Sequence, residues 1–283
     1  MAEYKYIREL LTTFTGTEGS LLIPRKIYDL LIEEVFKALI PRDEAAFYYG
    51  PDQIPGSSID VDLVSRNTMS VRRIGEGGEI SMDNSEYTNV NIKPAKYGVA
   101  VRISSEMMED SKWNLLEHQV RVAGRRLAEN ENSLVITALA TGSNTVSGGA
   151  QITVANITRA MQFLENTDYY PTTFVVGMEV LNDLRNIDTF VEYQKRGNTD
   201  FLDTGYLGTV FGMKVIKTST QAGMTATTAY VFDNRQAYAI AEKRPITVEN
   251  FDLPTFDLRA AVVTQRIAVS ALRSEAIAII TTS

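Results

Sequence analysis

Lys96-Tyr97-Gly98-Val99-Ala100-Val101-Arg102-Ile103-Ser104-Ser105-Glu106-Met107-Met108-Glu109-Asp110-Ser111 changes its hydrophobic period halfway. Tyr97, Val99, Val101 and Ile103 recur at every second residue, the spacing of a strand with one buried face. The serines end that alternation. Ser104 or Ser105 suits the cap of a short first helical turn, and Ser111 the cap of a longer run. From there Trp113, Leu116, Val120, Ala123, Leu127, Leu134 and Ala138 recur at helical steps and predict an apolar stripe over more than 20 residues. Arg121, Arg125, Arg126 and Glu129 take the remaining positions. A helix of that length, at about 1.5 Å per residue, lines one side of a molecule.

Upstream of this corner, from Ser57 to Ile103, the period is two throughout. Ile59, Val61 and Leu63 face away from Asp60 and Asp62, and Val90 and Ile92 alternate with Asn89, Asn91 and Lys93. Between the limbs lies Ile74-Gly75-Glu76-Gly77-Gly78-Glu79-Ile80, a glycine-rich turn of the kind that tips a ribbon. A limb of about 15 to 20 residues at roughly 3.3 Å each reaches about 50 to 65 Å. A compact body of this length has a radius of gyration near 19 Å, about a third of that reach. The excursion therefore either folds back at Asn67, Asn84 and Pro94 into short strands of one sheet, or lies on another subunit.

The rest of the chain frames these elements. The first two dozen residues, with Thr13, Thr15, Gly16, Thr17, Gly19 and Ser20, read as an arm. Leu21-Leu22-Ile23-Pro24 opens a helix whose apolar face is Ile27, Leu30, Leu31, Val35, Ala38 and Leu39, ended by Pro41. Thr141 to Gly149 is a turn-rich boundary. Beyond it, helices are expected around Val154–Leu164 and Val180–Leu184. Strands are expected at Thr173–Val176, Met213–Lys217, Ala229–Phe232, Ala237–Ala241, Ile246–Val248, Leu258–Val263 and Ala276–Ile280. Asn186–Gly208 reads as loop, and Phe251-Asp252-Leu253-Pro254-Thr255-Phe256 as a loop with an apolar tip.

Composition narrows the chemistry. The 283 residues contain no cysteine and a single histidine, His118, so thiolate metal sites and cysteine nucleophiles are excluded and any histidine triad hangs on one residue. Lys plus Arg is 28 against 35 for Asp plus Glu, a net charge of −7 that does not suit a dedicated nucleic-acid binder. No stretch is long and apolar enough to span a bilayer, and the charged Met1–Tyr6 start does not read as a signal peptide. Gly75–Glu79 lacks the Gly-Lys-Ser/Thr ending of a phosphate loop, and its glutamates repel phosphate. Asp60 and Asp62 share a strand face, either as a cation or acid/base pair or as its solvated side. Arg72 and Arg73 beside Glu76 and Glu79 either pair with a neighbour or are solvated. Two carboxylates suffice for a glycosidase, but nothing singles out a pair.

The order of these segments resembles the major capsid proteins of the Hong Kong 97 type, the shell subunits of tailed bacteriophages and related archaeal viruses. Gly19–Pro24 followed by a helix is similar to that family's entry into its peripheral domain. The ribbon around Gly75–Ile80 resembles its extended hairpin, the E-loop. Lys96–Ser111 resembles its passage from a strand through a serine corner into the spine helix. Phe211-Gly212-Met213-Lys214-Val215 and Arg273-Ser274-Glu275-Ala276-Ile277 are also similar.

The resemblance implies an α+β chain divided into an N-arm (1–26), a P-domain (27–56, 104–146 and 243–273), an E-loop (57–103) and an A-domain (147–242 and 274–283). It implies no enzyme, no cofactor and no metal. The partner is the chain itself, in pentamers and hexamers of an icosahedral shell that encloses double-stranded DNA without sequence-specific contacts. Scaffolding, portal or decoration proteins are further partners, no membrane is involved, and the particle is built in the host cytoplasm. Subunit contacts are expected at Arg72, Arg73, Gly75, Glu76, Gly77, Gly78 and Glu79 of the ribbon and at Phe251, Leu253 and Pro254 of the apolar tip. Some members carry a cleaved scaffolding region before the arm; here the sequence starts at the arm, implying a separate scaffold or a mature form. The Lys–Asn crosslink of some members cannot be placed on this sequence. An encapsulin-type nanocompartment shell is the alternative within the fold, and a soluble carboxylate enzyme the alternative outside it.

Overall fold

The computed structural model of the chain describes residue 40 and residues 42–65, 70–79, 82–110, 115–187, 208–220 and 223–282. The expected arm over 1–26, the helix over 21–39, Asn67, Ile80, Ser111, Trp113 and most of the 186–208 loop lie outside the described residues. The elements in chain order are β1 (Phe47–Tyr49), β2 (Ile59–Val64), β3 (Tyr87–Ile92), β4 (Ala95–Ser104), α1 (Ser105–Asp110), α2 (Leu115–Leu139), β5 (Asn144–Gly149), α3 (Val154–Glu165), β6 (Thr173–Val176) and α4 (Met178–Asn186). They continue with β7 (Thr209–Val210), β8 (Met213–Lys217), β9 (Thr228–Phe232), β10 (Tyr238–Leu253), β11 (Leu258–Ala271) and β12 (Ile277–Thr282).

The strands form a four-stranded sheet in the order β1-β10-β11-β4, a six-stranded sheet in the order β5-β12-β9-β6-β8-β7, and the two-stranded ribbon β2-β3. Helix α2 joins the two larger sheets. Its 25 residues, at about 1.5 Å each, make a rod of about 37 Å. The N-terminal half buries Val120, Ala123, Leu127 and Ala128 against Ile246, Ala261 and Val263 of the four-stranded sheet. The C-terminal half buries Val135, Ile136 and Leu139 among Val175, Tyr230 and Phe232 of the six-stranded sheet and Ile240 and Ile267 of the other. One helical stripe thus belongs to two cores, which is why it must run so far. The corner before it forms as the serines require: the Met107 backbone N–H donates to Ser104 Oγ at 3.3 Å, capping α1.

In the six-stranded sheet, β6 and β9 are buried along their whole length. Phe174 and Val176 of β6 pack with Ile157 and Leu164 of α3 and with Val180 and Leu184 of α4. The turn from β6 into α4 passes through Gly177, where a Cβ would lie 2.4 Å from the Ala226 carbonyl oxygen and 2.5 Å from that of Thr225. Both obstacles are backbone and cannot swing aside. Gly177→Ala is expected to cost at least about 1–3 kcal/mol, as overpacking does, read as a lower thermal midpoint of the unassembled subunit. An unchanged midpoint would contradict the packing described.

Several sequence expectations change, among them the Phe251–Phe256 loop, which is strand β10 as far as Leu253 and a 3-10 turn beyond it. The turn-rich segment before residue 150 contains β5, which pairs in parallel with β12 from Asn144 opposite Ala278 onward. The separate strands expected at Ala237–Ala241 and Ile246–Val248 are one strand, β10, with register shifts between Glu242 and Thr247 that accommodate Pro245. The antiparallel excursion is also shorter than expected. Its ladder runs only from Ile59 opposite Ile92 to Val64 opposite Tyr87, about 20 Å at the strand rise. Residues 95–103, expected to extend the ribbon, pair instead with β11.

Candidate assembly surfaces

The root of the ribbon belongs to the subunit's own core. Val61 and Ile92 are buried with Ile54, Ala239, Ala241 and Leu272. Three cations hold backbone carbonyl oxygens around that root. Arg273 Nη2 donates to Val64 at 2.7 Å, Arg266 Nη2 donates to Pro94 at 3.5 Å, and Lys243 Nζ donates to Gly56. On the solvent face Asn89 Nδ2 donates to Asp62 Oδ1 at 2.8 Å, and Asn91 Nδ2 donates to Asp60 Oδ1. The two aspartates are therefore rungs of a cross-strand amide–carboxylate ladder. Among the described residues no group of three or more acidic or histidine side chains is placed to hold a metal.

The distal half of the ribbon is different. Above the bond from Ser65 N–H to the Glu86 carbonyl (2.8 Å), the limbs are joined by side chains. The Ser70 N–H and Oγ both donate to Asp83 Oδ2 at 2.9 Å, which holds the Asp83 carboxyl below the usual carboxylate range. Arg72 Nη2 lies 3.9 Å from Asp83 Oδ1. At the tip the Gly78 N–H donates to the Gly75 carbonyl at 2.9 Å, and Gly77 takes a φ of 79°, the positive value a turn of this type reserves for glycine. Arg72, Arg73, Gly75, Glu76, Gly77, Gly78 and Glu79 are all exposed here, as a docking tip needs. The structure adds an apolar component that sequence reading missed. Val71 is fully exposed, Met82 is 97% exposed, and Tyr87 and Ile74 are also open to solvent. Clustered apolar exposure of this kind marks an interaction surface.

The second surface is the far end of the β10–β11 hairpin, whose ladder closes at Leu253 opposite Leu258. Pro254–Phe256 forms a single 3-10 turn across the end. Phe251 is exposed and Phe256, absent from the expected contact set, is 72% exposed. The Ser105 N–H donates to the Asp257 carbonyl at 3.0 Å, tying the tip to the start of α1. The ribbon tip and the hairpin tip are carried by separate elements.

A polar cluster fixes the frame that carries both surfaces. Arg42 donates to Glu131 of α2 through Nε at 2.9 Å and Nη2 at 3.1 Å, and to Glu242 of β10 through Nη1 at 3.1 Å. Gln265 Nε2 of β11 donates to Glu242 at 2.9 Å, and the Tyr48 hydroxyl donates to the same carboxylate. Burial alone would raise the Glu242 pKa, but Tyr48, Arg42 and Gln265 together outweigh it and bring it below the usual glutamate range. Burial, reinforced by Glu242, pushes the Tyr48 phenol up to about 12. Burial disfavours the Arg42 charge, yet the two glutamates hold it protonated at any accessible pH.

A carboxyl depressed on folding stabilises above its unfolded pKa and loses that contribution as pH falls through its folded value. The thermal midpoint of the subunit should therefore hold down to about pH 5 and fall below about 4.5, near the ordinary glutamate value. Glu242→Gln should flatten that acid slope, and an unaltered slope would contradict the assignment. Tyr48, raised on folding, stabilises fully below pH 10 and loses this as pH climbs towards about 12.

Two sheets bridged by one long helix and a projecting hairpin rooted in the core define the Hong Kong 97-type capsid fold. The phage capsid protein family model matches residues 87–280, more than half of the chain, and the chain belongs to that family. It is a major capsid protein: a shell-forming structural subunit of the virion capsid. Three solved structures show the same fold. The mature capsid of bacteriophage PhiM1 superposes with a TM-score of 0.68 at 12% identity, covering 87% of each chain. The capsid of Cyanophage P-SCSP1u gives 0.68 at 13% identity, covering 87% of this chain and 88% of that one. Mycobacterium phage Che8 gives 0.68 at 14% identity, covering 80% and 84%. No curated protein sequence matches.

Proposed function

We propose that this subunit closes an icosahedral shell of pentamers and hexamers around double-stranded DNA, using the ribbon tip and the β10–β11 hairpin tip as its main contacts. The observation that carries this reading is the solvent-exposed distal ribbon, with Val71 and Met82 almost wholly exposed on a ribbon whose root is buried. In a lone subunit that apolar surface meets only water; in a shell it meets a neighbour. The contact set is Arg72, Arg73, Gly75, Glu76, Gly77, Gly78 and Glu79 with Phe251, Leu253 and Pro254. Division into an N-arm, P-domain, E-loop and A-domain is part of the same reading, with β4, which the boundaries given above put in the E-loop, assigned instead to the P-domain because it pairs with β11. The six-stranded sheet is built from residues 144–149, 173–176, 209–217, 228–232 and 277–282, almost all within the A-domain. The subunit performs no reaction, and assembly in the host cytoplasm with scaffolding, portal or decoration proteins follows from the same reading.

A net charge of −7 sets how the contents are held. The folded domains should bind duplex DNA weakly, and filling the shell should require work against repulsion. Titrating the unassembled subunit with duplex DNA across a salt series should show binding that vanishes by about 150 mM, where charges are screened within about 8 Å. Tight binding at that salt with a steep salt slope would contradict this and reveal a basic face masked by the net charge.

A further inference from the structure

The seam between the two large sheets is built from apolar side chains around the C-terminal half of α2. Apolar packing holds the sheets together but is non-directional, so it does not by itself select the angle between them. Hydrogen bonds do select an angle, and a set of them gathers on the 3-10 turn Arg42–Glu44. The Arg42 end is fixed to Glu131 of α2 and Glu242 of β10. Just before it, the Ile40 N–H donates to Asn132 Oδ1 of α2 at 2.8 Å. The Glu44 end reaches the other sheet. Glu44 Oε2 accepts from Thr173 Oγ1 of β6 at 2.5 Å, and Oε1 accepts from Lys214 Nζ of β8 at 2.6 Å. The turn therefore has one arm on each sheet.

The Glu44 arm is the weaker of the two. Lys214 is half-exposed, whereas both carboxylates on Arg42 are buried, and an ion pair open to water contributes little. A further donor stands beside it. The Tyr238 hydroxyl is fully buried in the same seam and has no hydrogen-bond partner among the described residues. Burial pushes its pKa up, and the charges of Glu44 and Glu131 push it further, so both carboxylates lie near the phenol. Glu131 is already engaged by Arg42. The backbone brings Glu44 alongside, because the Ala46 N–H donates to the Tyr238 carbonyl at 2.9 Å. An orphaned buried hydroxyl is uncommon in a native fold and calls for a reason.

We propose that the turn 42–44 is a clasp between the two sheets with two settings. In the closed setting, the one seen, Glu44 holds Thr173 and Lys214 and locks the six-stranded sheet to α2 and the four-stranded sheet. In the open setting the Glu44 carboxylate turns to accept from Tyr238 Oη and releases β6 and β8. Each setting leaves one buried hydroxyl unpaired, Tyr238 in the first and Thr173 in the second, so the cost of an orphaned donor cancels in the exchange. The half-exposed Lys214 then tips the balance towards closure. This rests on the reading that one chain fills both pentamers and hexamers, and gives that chain two shapes.

The absence of cysteine makes the angle measurable. Nitroxide labels on Val122→Cys of α2 and Gln162→Cys of α3, both exposed, report the separation of the two sheets by pulsed electron resonance on the unassembled subunit. A major and a minor distance are expected. Lys214→Met should raise the minor share about two- to fivefold, the scale of an exposed ion pair, and Lys214→Arg should keep the parent distribution. Tyr238→Phe keeps the ring packed edge-on against Phe232 and removes only the hydroxyl. Alone it should abolish the minor distance without moving the major one, and combined with Lys214→Met it should cancel the rise. An unchanged distribution in Lys214→Met, or a minor distance that survives Tyr238→Phe, would overturn the clasp. Subunits that switch as described yet form no particles would support the clasp and overturn only the shell reading.

Discussion

Replacing residues 74–80 with a short Gly-Ser turn should leave a folded subunit that no longer closes into shells. The core cluster at the ribbon's root ends with Val61 and Ile92, and residues 70–79 are exposed throughout. Changes at such positions shift subunit stability by about 0.5 kcal/mol. Assembly loses far more. Ile74 leaves the contact directly, and Val71 and Met82 lose the turn that positions them. Each apolar side chain fully buried at an interface contributes about 1.5–3 kcal/mol, which at every subunit contact amounts to at least a tenfold loss of shell yield. The readout is a thermal midpoint beside light scattering of the same sample. A midpoint that drops sharply while shells still form would show that the ribbon is an internal element. Charge reversal at Arg72 and Arg73 should weaken assembly in the same direction, more strongly at low salt.

Arg42→Ala should act at the opposite end, on the subunit before it assembles. It leaves Glu131 and Glu242, whose side chains are 3% and 5% exposed, as buried carboxylates without their cation. Removing one partner of a buried charge cluster costs about 3–5 kcal/mol. For a chain of this size that lowers the thermal midpoint by about 6–20 °C. Replacing Arg42, Glu131 and Glu242 together with apolar residues of similar volume should cost much less, because no charge is then stranded. If the single and triple replacements lose the same stability, the cluster's effect is packing and not electrostatics.

How much of this was legible in the sequence depended on the range of the interaction. The strand, serine corner and long helix were readable because their signals are local: alternation from Tyr97 to Ile103, a capping hydroxyl at Ser104, and a stripe of side chains three and four apart. The turn at Gly75–Gly78 was readable for the same reason. Strand β5 was hidden because Gly148 and Gly149 give it the composition of a turn, and only its parallel partner β12 defines it as a strand. The Arg42 cluster was invisible because its members sit 89 and 200 positions apart, and no spacing rule links them. The charges and glycines of the proposed contact set were legible as a turn, whereas the exposure of Val71, Met82 and Phe256 was not. An isolated apolar residue is core or surface according to the fold around it, and sequence alone favours core.

The central claim is that copies of this chain close into a shell. Negative-stain electron microscopy of the purified protein, with light scattering across protein concentration and salt, tests it most directly. The account predicts uniform hollow particles, with capsomer-sized intermediates at low concentration, through heterologous contacts that close upon themselves. A persistent 31 kDa monomer under all those conditions would contradict it.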